Sequence, residues 1–175
     1  MAAIHWLTFR TATPADVPAL VAIHAACCRE ITRRLGDGHW SLEPTRESVL
    51  TAMECRTVYV ALLGTAPVAT VTVSQTPASF WPPAVWTEPE ADALCVFGLA
   101  VLPEHQRRGI GAWMMSHIED MAADAGHRWV RLDAYTANPR AQRFYRKLGY
   151  AARGEVALAG TRLTCFEKSV GAPGR

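Results

Sequence analysis

The chain has no apolar run near the roughly 18 residues that a membrane-spanning helix needs, although half of its 175 residues are hydrophobic. Its N-terminus has no basic region leading into an apolar stretch and a small-residue cleavage site. No secretory signal is therefore expected, and the cytoplasm is the default compartment. Neither sign of charge dominates: a formal charge of +2 argues against nucleic acid or an acidic membrane as partner. Paired cysteine motifs are also missing. Cys27, Cys28, Cys55, Cys95 and Cys165 are odd in number, the first two are adjacent, and no Cys-x-x-Cys occurs. Reduced, buried thiols are expected rather than disulfides or zinc. The six histidines never show the i, i+4 spacing of a helical metal site, so no metal is expected. The length suits one domain over residues 1–170, with a short frayed tail at 171–175.

What the chain does have is a glycine turn between an apolar strand and an amphipathic helix. Leu94-Cys95-Val96-Phe97-Gly98-Leu99-Ala100-Val101 reads as a strand buried on both faces, ended by Pro103. After Gln106-Arg107-Arg108-Gly109-Ile110-Gly111, the residues Ile110, Trp113, Met114, Ile118, Met121 and Ala125 recur at helical spacing. Glycines that bare backbone N–H groups where a helix opens hold phosphate through orphan donors and the helix dipole. Arg107 and Arg108 add positive charge beside them, and the stretch reads as a diphosphate cradle. No Lys follows the glycines, as a Walker loop requires. Met114 stands where a dinucleotide fingerprint needs a third small residue.

Around this core the pattern predicts a strand at about 8–10 and a helix from Thr13-Pro14-Ala15-Asp16 towards Arg29. A second helix follows at about 44–53, then a hairpin of 57–63 and 68–74. A loop at 76–92 is rich in proline and aromatics. Beyond the core helix come a strand at 129–134, a helix at 138–148, and strands near 151–158 and 162–168 around Ala159-Gly160. Strands, then a strand–helix–strand–helix unit, then strands again describe an α/β (α+β) fold with a mixed sheet and helices on its faces.

Two blocks carry a family resemblance. Leu99-Ala100-Val101-x-Pro103 with Gln106-Arg107-Arg108-Gly109-Ile110-Gly111 resembles the acetyl-CoA signature of the GNAT superfamily of N-acetyltransferases. Leu132-Asp133-Ala134 through Asn138 to Phe144-Tyr145-x-x-Leu148-Gly149-Tyr150 is similar to that family's other core motif. The resemblance implies a mostly antiparallel sheet of about seven strands and four flanking helices, splayed at the central strands. It implies acetyl-CoA as cosubstrate, held by Leu99, Ala100, Val101, Gln106, Arg107, Arg108, Gly109, Ile110, Gly111 and Asn138. A backbone N–H of the Leu99–Val101 strand would polarise the thioester carbonyl, and Gly98 allows the bulge this needs.

The same resemblance places the general acid at Tyr145. Its ordinary phenol pKa of about 10 is close to that of an alkyl thiol, so proton transfer to a departing thiolate would be nearly balanced. Read from the residues alone, Ala141, Phe144, Tyr145 and Leu148 form a helical stripe, and Tyr145 could equally be core. Many relatives carry a carboxylate at the position of Cys95, where this chain has none. Others use an acid matching Asp133, which is taken as the general base, with a water chain or an N-terminal residue as the alternatives and a structural acceptor role as the competing reading of Asp133. Asn138 before Pro139 is also a simple helix cap.

Acceptor recognition is expected from Gly36-Asp37-Gly38-His39-Trp40 and from the loop Phe80-Trp81-Pro82-Pro83-Ala84-Val85-Trp86-Thr87-Glu88, through His39, Trp40, Trp81 and Trp86, with Glu88, Glu90 or Asp92 attracting the ammonium group. For the loop, a homodimer contact or aromatics folded back on the core are the competing readings. The resemblance implies acetyl transfer from acetyl-CoA to an amine; the long aromatic loop favours the primary amine of a small molecule, and charge and composition argue against nucleic acid or membrane partners. Acetylation of a protein N-terminus and a non-catalytic acetyl-CoA sensor are the alternatives.

Overall fold

A computed structural model describes residues 6–171. The elements in chain order are β1 (Leu7–Thr11), α1 (Val17–Leu35), α2 (Arg46–Cys55), β2 (Thr57–Leu63), β3 (Ala66–Ser74), β4 (Ala93–Val101), α3 (Ile110–Asp124), β5 (Trp129–Tyr135), α4 (Pro139–Lys147), β6 (Ala151–Leu158) and β7 (Thr161–Ser169). The sheet has seven strands in the order β1-β2-β3-β4-β5-β7-β6. The pairs β1–β2, β2–β3, β5–β7 and β6–β7 are antiparallel, and β4 with β5 runs parallel. This is the mixed sheet that the pattern predicts, mostly antiparallel and with the four helices that the resemblance implies. The chain divides into two compact units, Met1–Val73 with Gly98–Ser116 and Ser74–Phe97 with His117–Arg175.

In the first unit, the turn before α1 is tied by Asp16. Its carboxylate accepts from Thr13 N at 2.7 Å and Thr13 Oγ1 at 2.9 Å, and it pairs with Arg10 at 2.8 Å. These partners hold the carboxyl well below the usual carboxylate range, the Arg10 hydrogen bond most of all. Val17 and Leu20 of α1 and Val49 of α2 pack with Val58, Val60 and Leu62 of β2 into one apolar cluster. Helix α1 runs six residues beyond Arg29, because Glu30 to Arg34 keep helical spacing and nothing breaks it before Gly36. Helix α2 starts at Arg46 rather than Pro44. Thr45 and Ser48 exchange cap bonds of 3.0 and 3.1 Å, which leaves Pro44 outside.

In the second unit, β5 pairs with β7 from Trp129↔Ser169 to Tyr135↔Leu163. A two-residue turn with left-handed Ala159 and Gly160 connects β6 to β7. The β4–β5 ladder runs only from Ala93↔Trp129 to Val96↔Leu132, although β4 continues to Val101 and β5 to Tyr135. This is the splay that the resemblance implies. It also corrects the reading of β4 as buried throughout: Ala93–Val96 are buried, whereas Phe97, Gly98, Leu99 and Val101 are half-buried. Ala125 is likewise not on a buried helical stripe; α3 ends at Asp124 and Ala125 is exposed. Of the tail at 171–175, only Gly171 is among the described residues. No helix there is long and apolar enough to cross a membrane.

Candidate active site

The phosphate loop belongs to the first unit. Leu102 N donates to Val68 O of β3 at 2.9 Å, so by strand alternation the amides of Leu99 and Val101 point away from β3. A short turn at Pro103–His105 then leads into the loop. Arg107 has φ 61 and Gly109 φ 88, both left-handed, with Arg108 between them. Alternating handedness of this kind turns successive N–H groups into one concavity, an anion-binding nest. Helix α3 opens directly behind it, with Trp113 N bonded to Gly109 O at 2.9 Å. Arg107 is the costlier member, because a Cβ in the left-handed region is disfavoured by about 1–2 kcal/mol. Strain of that kind in a glycine turn at a helix start fits a diphosphate, and coenzyme A carries one.

Not every residue assigned to the cofactor faces a ligand. Ile110 is buried in the core and offers only its backbone. Ala100 packs with Ile23 and Cys27 of α1. The Gln106 amide donates to Val101 O at 3.0 Å and to Glu30 at 3.4 Å. Gln106 therefore clamps the loop to the end of β4, and this is a positioning role. Cys27 Sγ donates to the same carbonyl at 3.2 Å. Burial pushes the Cys27 thiol up to about 12, so it stays a protonated donor. Arg107, Arg108 and Gly109 are exposed at the loop.

Trp40 is half-buried, with its ring 6.3 Å from that of His24. The backbone of His39 lies in the turn His39–Ser41, and its side chain is outside the described residues.

In the second unit, Trp81 Nε1 donates to Asp133 Oδ2 at 2.8 Å. Burial pushes the Asp133 carboxyl up to about 6, and the Trp81 bond opposes the shift. Asp133 stands in register with Cys165, on the face covered by Trp81, Trp86 and Cys95. The next residues of β7 face the other way. Thr164 Oγ1 accepts from Gln142 of α4 at 3.0 Å, and the Phe166 ring lies 5.6 Å from Tyr145. Asp133 and Tyr145 therefore belong to opposite faces of the sheet near the end of β5. Burial first, and the charge of Asp133 second, push the Tyr145 phenol above its ordinary value. The nearly balanced proton transfer expected from an unperturbed phenol is corrected accordingly: with Asp133 ionised, Tyr145 holds its proton more firmly. Asn138 caps α4, its side chain accepting from Arg140 N at 3.2 Å and Ala141 N at 3.4 Å.

The aromatic loop is folded down. Trp81 and Trp86 are 5% and 6% exposed, and Trp81 stacks on Phe97 with centroids 5.3 Å apart. The expectation of tryptophans presented to an acceptor is corrected for both: Trp81 is held by Phe97 and Asp133, and Trp86 is packed beneath the Arg131 guanidinium at 5.0 Å. Trp81 meets the site through Asp133. Sequence reasoning missed the anchor of this loop, Glu167, which is 1% exposed. Its Oε1 accepts from Thr87 N at 3.0 Å and Arg153 Nε at 2.8 Å, and Arg131 Nε lies 3.5 Å from Oε2. The available signal was the alternation that puts Arg131 with Asp133, and Glu167 with Cys165, on one sheet face. A charged row in interior strands needs a cover that pairs it. Buried Gln142 was also missed; it donates to Tyr135 O at 3.0 Å. Among the described residues no group of three His, Cys, Asp or Glu side chains is arranged to hold a metal.

The sequence profile of the Acetyltransferase (GNAT) family matches residues 22–150. No curated protein sequence matches significantly. PaiA N-acetyltransferase from Thermoplasma acidophilum, solved in complex with coenzyme A, superposes with a TM-score of 0.73 at 14% identity, over 93% of this chain and 98% of that one. The yncA protein from Salmonella typhimurium, solved with its cofactor acetyl-CoA, gives 0.70 at 16% identity over 94% of both chains. The ribosomal-protein-S18-alanine N-acetyltransferase from Escherichia coli gives 0.70 at 15% identity over 96% of both. At these identities the likeness is one of fold.

Proposed function

Since the chain belongs to the acetyltransferase (GNAT) family, we propose that it transfers an acetyl group from acetyl-CoA to the primary amine of a small-molecule acceptor, by direct attack in a ternary complex. When bound, acetyl-CoA supplies the acetyl group already activated as a thioester. The nest at Arg107–Gly109 and the first turn of α3 hold its phosphates, and the outward amides of Leu99 and Val101 hold its arm. The observation that carries an amine acceptor is the Asp133 carboxyl, raised to about 6 and fixed at one oxygen by Trp81. A carboxylate of that basicity is ionised at neutral pH and takes a proton better than an ordinary Asp.

Asp133 receives the proton that the attacking ammonium must lose, directly or through one water. Tyr145 delivers its Oη proton to the departing sulfur, the second N–H proton of the tetrahedral adduct passes through water to the phenolate left behind, and Asp133 releases its proton to solvent. The two steps assist each other: the negative charge of Asp133 helps to hold the phenol up. Once Asp133 is protonated that cause disappears and Tyr145 becomes a better donor.

Thiol release with an amine panel tests this reading. Amino sugars, aminoglycosides, polyamines, amino acids and short N-terminal peptides are offered with acetyl-CoA. Turnover with a small amine supports the proposal. Turnover confined to peptides moves the acceptor to a protein N-terminus, and tight acetyl-CoA binding without turnover makes the chain a sensor.

A further inference from the structure

Helix α1 follows the second half of β4. His24 lies against Gly98, Cys27 bonds Val101 O, and Glu30 meets Gln106. At Gly98 the backbone is left-handed, with φ +58, and a Cβ built there would stand 3.3 Å from His24 Cε1. Cε1 is bonded to both ring nitrogens, so Nδ1 and Nε2 border the same point. Among the described residues no hydrogen bond takes up either nitrogen. Gly98 is three residues upstream of Val101, about 10 Å along the strand. It therefore lies at the end of the Leu99–Val101 segment away from the phosphate loop, which is the acyl end. The Trp40 indole stands 6.3 Å from the imidazole.

We propose that His24 is an acceptor-binding residue of the acetyl-transfer site, one ring nitrogen accepting an N–H of the incoming primary amine beside Gly98 while Trp40 walls the amine's body. The inference rests on the acetyl-transfer reading and adds to it the group that orients the nucleophile. Burial lowers His24 to about 4. The ring is therefore uncharged at neutral pH, keeps one lone pair for an N–H, and does not repel an ammonium. An indole face beside it suits a cationic or apolar amine.

The test uses the full chain and the panel amine with the highest turnover. His24→Ala should raise the acceptor KM at least fivefold, with acetyl-CoA affinity by calorimetry within twofold of wild type. His24→Gln, which keeps a hydrogen-bond acceptor, should recover part of the loss, and His24→Phe should not. In the wild type, the 13Cε1 resonance of His24 should shift when that amine is added with coenzyme A present. That shift does not depend on turnover or on a variant folding. Wild-type acceptor kinetics in both His24→Ala and His24→Phe, or an unmoved resonance, overturns the role of His24 and leaves acetyl transfer standing. A wild type that turns over no amine overturns both.

Discussion

Trp81 and Asp133, 52 positions apart, are joined by one hydrogen bond of 2.8 Å from the indole nitrogen to the carboxylate. The bond ties the aromatic loop to the ionisation of Asp133, because it opposes the burial that raises Asp133 to about 6. Trp81→Phe keeps most of the packing and removes the opposition. The carboxyl then rises further, and the acid limb of kcat/KM moves to higher pH by about one unit. This follows from about 1.5 kcal/mol for a hydrogen bond to a charged group and 1.36 kcal/mol per unit. The pH profile of the variant against wild type is the measurement. An unmoved limb means that another group titrates there.

The burial of Asp133 also couples its ionisation to stability. Its folded pKa lies above the roughly 3.9 of an unfolded Asp. Its contribution to stability is therefore intact below about pH 4 and is lost as pH rises through about 6. Asp133→Asn should stabilise the protein at pH 7.5 by roughly 1–3 kcal/mol and not at pH 4, while acetyl transfer falls at least tenfold. Denaturant melts at the two pH values check the first part and steady-state kinetics the second. A variant that is equally stable at both, or fully active, contradicts the assignment.

Tyr145→Phe removes a buried hydroxyl and leaves a ring in place against Phe166 and Tyr150. We expect kcat to fall about 100-fold, as for loss of a general acid. Acetyl-CoA affinity and melting temperature should be nearly unchanged. Unchanged turnover would assign Tyr145 to the core alone.

The cradle is a matter of backbone handedness. Gly109 at φ 88 tolerates no Cβ without strain of about 1–2 kcal/mol. Gly109→Ala should weaken acetyl-CoA binding about tenfold by calorimetry. Arg107→Gly relieves strain at φ 61 and should lose less affinity than Arg108→Ala, which removes charge without relief. The reverse order would make charge, rather than the turn, the determinant.

A Cβ on Gly154 would stand 2.7 Å from Val85 Cγ2, so β6 and the loop turn at Pro83–Val85 are in closest contact there. Gly154→Ala should destabilise by about 1–3 kcal/mol through overpacking. Val85→Ala in the same chain should recover most of it. Additive losses in a double-mutant cycle would show that the two sites do not touch.

The elements were legible in the sequence because their signals are local. Asn138-Pro139 caps α4 with bonds to residues two and three positions on. The turn of Ala159-Gly160 is likewise written in adjacent residues. The turn between β4 and α3 was legible for the same reason, since strand, glycines and helix follow each other without interruption. Its clamp was not: Gln106 looks like a ligand group until Val101 O and Glu30 are seen to occupy it.

The sequence by itself determined the element order, the glycine turn that opens α3, and the sheet face on which Asp133 lies, because caps, glycine turns and strand alternation act over a few residues; the left-handed Arg107 that makes the turn a nest was seen only in the structure. Only the tertiary structure decided that Trp81 bonds Asp133, that Glu167 straps the loop to the sheet, and that His24 stands against Gly98. Those contacts join residues 52, 80 and 74 positions apart. Burial, which moves the pKa of Asp133 and His24, exists only after such distant segments have packed together.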